Sequence, residues 1–173
     1  MTPQAASGTA VPLSDLRAPL EAPLPRLLDY WETKRGGRAM PSWAGMDPLD
    51  FSYMLGRVSL VEVHHGTPMR FRYRVVATTL SLQLGYEMTG RFTDDIPEAQ
   101  VRAYVEAQYR QLVEARVPLV DGGERVLDGR RWNHQCLYLP LSSDGESVDR
   151  LLAGRIVSQV ATPHESPLDW TLR

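Results

Sequence analysis

Three side chains capable of chemistry recur at every second position late in the chain: His134, Cys136 and Tyr138. In an extended segment that spacing puts all three on one face. Imidazole can ligate several metals, and a single axial histidine can hold a haem. One His and one Cys do not complete a metal site, and such residues are common in packed sheets, so the expectation is a structural role. His64 and His65 fall in the turn signal His64-His65-Gly66-Thr67-Pro68, and neighbours on a strand point to opposite faces, which argues against shared metal ligation. Arg70, Arg72 and Arg74 alternate with Phe71, Tyr73 and Val75. A guanidinium stripe can grip a phosphate or carboxylate. The expectation is a solvated sheet face, or stems covered by the N-terminal helix with heads paired to Glu62 or other carboxylates. Asp47, Asp50, Asp94 and Asp95 lie at predicted helix starts, where carboxylates satisfy N–H groups and the dipole, so no acid–base pair is expected. Neither a G-x-S-x-G elbow nor a G-x-x-x-x-G-K phosphate loop occurs. No catalytic residue is assigned.

The elements that must position these groups belong to one domain with tails. A chain of 173 residues buries about 70% of the surface its unfolded form exposes, enough for a core without a metal or disulfide staple. The net charge is −2 with both signs interspersed, and this leaves no nucleic-acid footprint. One cysteine excludes an intramolecular disulfide and a Cys-based zinc cluster, and fits a reducing compartment. No apolar run approaches the ~20 residues that span a bilayer, and no basic-then-apolar leader opens the chain. A cytoplasmic protein without membrane contact is expected.

Residues 1–23 are rich in Ala, Pro, Ser and Thr and read as a disordered arm. Leu24, Leu27, Leu28 and Trp31 recur at helical spacing until Gly36-Gly37. Asp47-Pro48 opens a short helix that Gly56 closes. Arg57 to His65 and Met69 to Ala77 read as a hairpin, with Phe71, Tyr73 and Val75 on the inner face. Thr78 to Leu84 reads as a short helix. Asp95 and Glu98 have the spacing of a capping box for a helix over 97–116, which Pro118 stops. Leu119 to Leu127, Arg131 to Leu141 and Arg150 to Ala161 read as three antiparallel strands. The domain spans 24–161, and 162–173 is a C-terminal tail. Hairpins at both ends of a helical middle require one antiparallel sheet built from both halves of the chain.

Leu84-Gly85-Tyr86 followed by Thr89-Gly90-Arg91 resembles a signature of PAS sensor domains. Leu28-Asp29-Tyr30-Trp31, Gly36-Gly37-Arg38, Met40-Pro41, Asp47-Pro48-Leu49-Asp50, Phe71-Arg72-Tyr73-Arg74, Leu139-Pro140-Leu141, Asp144-Gly145 and Val148-Asp149 extend the resemblance to the small bacterial PAS_5 family over residues 24–158. The resemblance implies an α/β (α+β) fold, a five-stranded antiparallel sheet with helices on one face, joined here by an N-terminal helical extension. It also implies a small molecule held between sheet and helices, and a homodimer.

The apolar positions expected to face that space are Tyr73, Val75, Leu80, Leu84, Phe92, Tyr104, Trp132 and Leu139, with His134 beside them. Aromatic residues serve a pocket and a filled core equally well. Two functions therefore stand. One is a non-catalytic sensor that binds a small molecule, haem included, and signals through a second copy or a signalling protein. The other is a protein-interaction module with a filled core, for which the face of Leu24, Leu27, Leu28 and Trp31 is the natural contact surface. An enzyme is the least supported class.

Overall fold

The structure is a computed structural model that describes residues 10–15, 19–127 and 130–159. Leu24–Arg35 form helix α1, and Leu24, Leu27 and Trp31 make its buried face. The helix ends where Gly36 takes a positive φ of 56°, which an L side chain resists. Asp47 then caps a 3-10 segment, Pro48–Met54, by accepting from the Leu49 N–H at 2.9 Å. Strands β2 (Val58–His64) and β3 (Arg70–Val75) form the first hairpin. Helix α2 spans Thr78–Leu84 and closes on the left-handed Gly85, as the Leu-Gly-Tyr segment predicts.

Helix α3 covers Ala99–Ala115. Its expected capping box does not form. The Asp95 carboxylate turns back to accept from the Phe92 N–H at 3.2 Å in a separate 3-10 turn, Thr93–Asp95, and Glu98 opens α3 with no side-chain cap. Pro97 separates the two turns and prevents one helix from running through both. Three long strands follow: β4 (Leu119–Leu127), β5 (Arg130–Leu141) and β6 (Arg150–Gln159).

With the two-residue strand Val11–Pro12 counted as β1 and the others as numbered, the antiparallel sheet has the order β1-β4-β5-β6-β2-β3. The five expected strands are all present, and β1 adds a sixth at the edge by pairing with Leu119 and Val120. Part of the segment expected as a disordered arm is thus tied down. Ala10 donates its N–H to Gln108 Oε1 at 2.9 Å, and the Glu21 N–H donates to Gln135 Oε1 at 2.7 Å. Those partners lie about a hundred residues away and leave no local signal. Residues 1–9 and the tail 162–173 lie outside the described residues.

The sheet is covered on both faces. Strand alternation sends Ser59, Val61, Tyr73, Cys136, Tyr138 and Ala153 toward α3. It sends Leu60, Leu137, Leu139, Leu152 and Gly154 toward α1 and the 3-10 segment. Trp31 fastens α1 by donating its indole N–H to the Pro140 carbonyl at 2.8 Å, a buried bond. Leu24, Leu27 and Trp31 are therefore core residues, and the α1 face expected as a contact surface is already occupied by the sheet.

Candidate ligand cavity

Helix α3 does not close completely on its face of the sheet. A cavity of about 50 Å³ remains, lined by Tyr104, Val105 and Tyr109 of α3, by Ala77 and Leu80 at α2, and by sheet residues that include Tyr73, Asp121, His134, Cys136 and Arg155. Four tyrosines, Tyr73, Tyr104, Tyr109 and Tyr138, are among its lining residues. The Tyr109 ring packs edge-on against Phe71, Tyr73 and Tyr138, with centroids 5.3 to 6.3 Å apart. The Tyr73 and Tyr109 hydroxyls bond one another at 3.0 Å.

The polar end is built by β4 and β5, whose register sets Asp121 opposite Cys136 and Gly123 opposite His134. His134 Nδ1 lies 2.8 Å from the Gly123 carbonyl oxygen. A carbonyl only accepts, so Nδ1 carries a hydrogen. Nε2 is buried without a hydrogen-bond partner and stands 3.8 Å from Asp121 Oδ2, to which the Tyr104 hydroxyl donates. Both side chains are at least nine-tenths buried. Arg155 Nε is also buried without a partner. A guanidinium nitrogen is a donor and never an acceptor.

Burial keeps the cavity's weak acids protonated. It pushes the Tyr73 hydroxyl up to about 12, and Tyr109 and Tyr138 well above the ordinary phenol value. Burial raises the Cys136 thiol to about 11 against the opposing pull of the Arg155 guanidinium. Cys136 is therefore a packed thiol and no thiolate nucleophile. The space cannot admit a haem beside His134, and among the described residues no three His, Cys, Asp or Glu side chains are grouped to hold a metal.

Of the residues expected in the pocket, Tyr73, Leu80, Tyr104 and His134 line the cavity. Val75 does not. A bulge between Leu60 and Val61 pairs Leu60 with Val75 after Val61 with Tyr73, so Arg74 is the extra residue and Val75 flips to the α1 side, 51% exposed. Leu139 is fully buried on that same side, because a residue next to Tyr138 on a strand must face the other way. Leu84 packs partly buried against the core, outside the cavity lining. Phe92 meets His64 edge-on, centroids 5.1 Å apart, and carries the Arg70 guanidinium over its ring at 3.9 Å. The Trp132 side chain lies outside the described residues.

Tyr109, Asp121 and Arg155 were missed. Tyr109 was legible as an apolar position of α3. Asp121 and Arg155 carry charge, and only the register places them inside.

The arginine stripe is spent within the fold. Arg70 pairs with Asp94 at 2.5 Å, Arg72 donates to the Gly90 carbonyl at 3.1 Å, and Arg74 reaches Glu62 at 3.5 Å. His65 Nε2 contacts the Val148 carbonyl at 2.8 Å, and His64 lies 3.8 Å from Glu62. No helix among the described residues is long and apolar enough to cross a membrane.

The family model PAS_5, described as a PAS domain, matches residues 21–156. A solved structure of an RsLOV variant is 13% identical and has a TM-score of 0.41, over 70% of this chain and 73% of that one. No curated protein matches the chain.

Proposed function

The chain belongs to the PAS_5 family of PAS domains, and we propose that it is a non-catalytic sensory domain binding a compact polar ligand between α3 and the sheet. One observation carries the reading. His134 Nε2 and Arg155 Nε are both buried without a hydrogen-bond partner, on side chains that line a partly open cavity. Each unpaired buried group costs about 1–3 kcal/mol, and a polar ligand that hydrogen-bonds to both relieves both. A water needs roughly 10–15 Å³ of such volume, so this cavity takes about three to five heavy atoms, the size of a small amide or hydroxy acid.

Tyr104 and Tyr109 stand on α3, so occupancy acts directly on the packing of α3 against the sheet. A second copy or a signalling protein in the cytoplasm then reads the shift. The device works only if the ligand prefers one α3 position over the other.

The test is a thermal-shift and native-mass series with acetamide, glycolate and related small molecules on the wild type and His134→Leu. A true ligand at a hundredfold excess over Kd stabilises by about 2.7 kcal/mol. That is a rise of roughly 5–10 °C in Tm for a chain this long, absent in the variant. A panel that changes neither Tm nor oligomeric state would refute the sensor reading.

The interaction-module reading is favoured by the cavity volume, which falls far below the roughly 300 Å³ of ordinary ligand sites. It predicts concentration-dependent self-association that no small molecule alters, checked by light scattering.

A further inference from the structure

We propose a second site on the opposite, α1 side of the sheet, which takes a neutral, largely apolar small molecule with one hydrogen-bonding end. A groove of about 570 Å³ lies there between the 3-10 segment Pro48–Met54 and the ends of β2 and β3. That volume falls inside the range of roughly 300–1,000 Å³ that small-molecule pockets occupy. It is an order of magnitude larger than the cavity under α3.

The groove is recessed. Met54 and Leu152 are fully buried in its lining, and Phe51 and Leu60 are buried beside them. Trp43 adds an aromatic wall. Ser52 and Thr78 bring hydroxyls, and no charged side chain takes part in the lining among the described residues. An apolar, aromatic lining with two hydroxyls and no counter-charge selects a neutral ligand, since an ion in such a place stays unpaired.

Two features of the chain leave the groove open. The β-bulge turns Val75 outward onto its rim, and Gly56, at a φ of 75°, turns the backbone just after Leu55. Leu55 is 88% exposed and Val75 51%, so the rim presents apolar side chains to water.

A protein partner fits this surface less well. A stable protein interface takes about 20–30 residues from each side. The groove presents two large exposed apolar side chains and keeps the rest of its apolar surface below the rim. The occupant that reaches the floor is small. The site is independent of the cavity under α3, because strand alternation puts the two on opposite faces of the sheet.

The test uses 1-decanol with the full chain, read by native mass spectrometry and by thermal shift. The expected result is one saturable decanol per chain. Val75→Arg and Leu55→Arg, both rim residues with exposed side chains, are expected to weaken it about tenfold or more by placing a charge at the mouth. Leu82→Arg adds the same charge at a 78% exposed position outside the groove and is expected to leave binding unchanged. Absence of saturable binding would overturn the proposal. So would equal losses in all three variants, which mean adsorption to exposed apolar surface. A dimer that the rim variants dissociate, with no decanol bound, would also overturn it and assign the groove to a second copy.

Discussion

Replacing Gly154 with alanine tests whether α1 is part of the core. Gly154 sits on β6 between Val58 and Leu137 of the neighbouring strands and faces α1. An added Cβ there would lie 2.6 Å from Leu27 Cδ2, 3.1 Å from Met54 Cε and 3.2 Å from Leu24 Cδ2. Carbon atoms prefer about 3.5–4.0 Å, so Leu27 must retreat by about 1 Å. Leu24, Leu27 and Met54 are all fully buried, which leaves little room for that retreat. Overpacking of this kind costs about 1–3 kcal/mol. The strand gains back roughly 0.5–1 kcal/mol, because alanine loses less backbone freedom on folding than glycine. The expected net loss is up to about 2.5 kcal/mol.

Urea titration followed by circular dichroism measures it, as a lower midpoint at unchanged m-value. Leu27→Ala alone is expected to cost about 2–5 kcal/mol through the cavity it leaves. In the double variant the new alanine fills part of that cavity, so the total should fall short of the sum by about 0.5 kcal/mol or more. A more stable Gly154→Ala, or strict additivity with Leu27→Ala, would refute the docking of α1 over Gly154.

Trp31→Phe removes the donor that serves the buried Pro140 carbonyl and should cost at least about 1–3 kcal/mol, measured by the same titration. The Asp144 carboxyl accepts from the Ser142 hydroxyl and the Glu146 and Ser147 N–H groups, bonds that hold it at about 2. A depressed carboxyl stabilises the fold above its unfolded pKa, and that share disappears as pH falls from about 4 toward 2; Asp144→Ala should flatten the stability profile there. The Cys136 thiol, raised to about 11 by burial, should resist iodoacetamide at neutral pH and react fully in urea; rapid labelling of the native protein would contradict its placement. For Tyr73, raised to about 12, the sign runs the other way. Its contribution is complete below pH 10 and is lost as pH climbs toward 12, so Tyr73→Phe should lessen the alkaline loss of stability.

The sequence alone determined the elements whose signals are local. The spans of α1 and α2 follow from apolar spacing and from the glycines that stop them, Gly36 and Gly85. The five long strands follow from alternation and turn residues, and their order around a helical middle made a mixed antiparallel fold necessary. The shared face of His134, Cys136 and Tyr138 follows from the pleat, and the same rule excludes Leu139 from it.

Tertiary structure decided what depends on register and distant partners. One extra residue opposite the Leu60–Val61 step moved Val75 to the far side of the sheet, and no local signal in β3 marks the bulge. Pairing of β4 with β5 and of β5 with β6 buried Asp121 and set Arg155 in the cavity lining, charged residues that composition places on the surface. The cavity and the groove are volumes left between elements distant in sequence, and such volumes exist only once those elements pack.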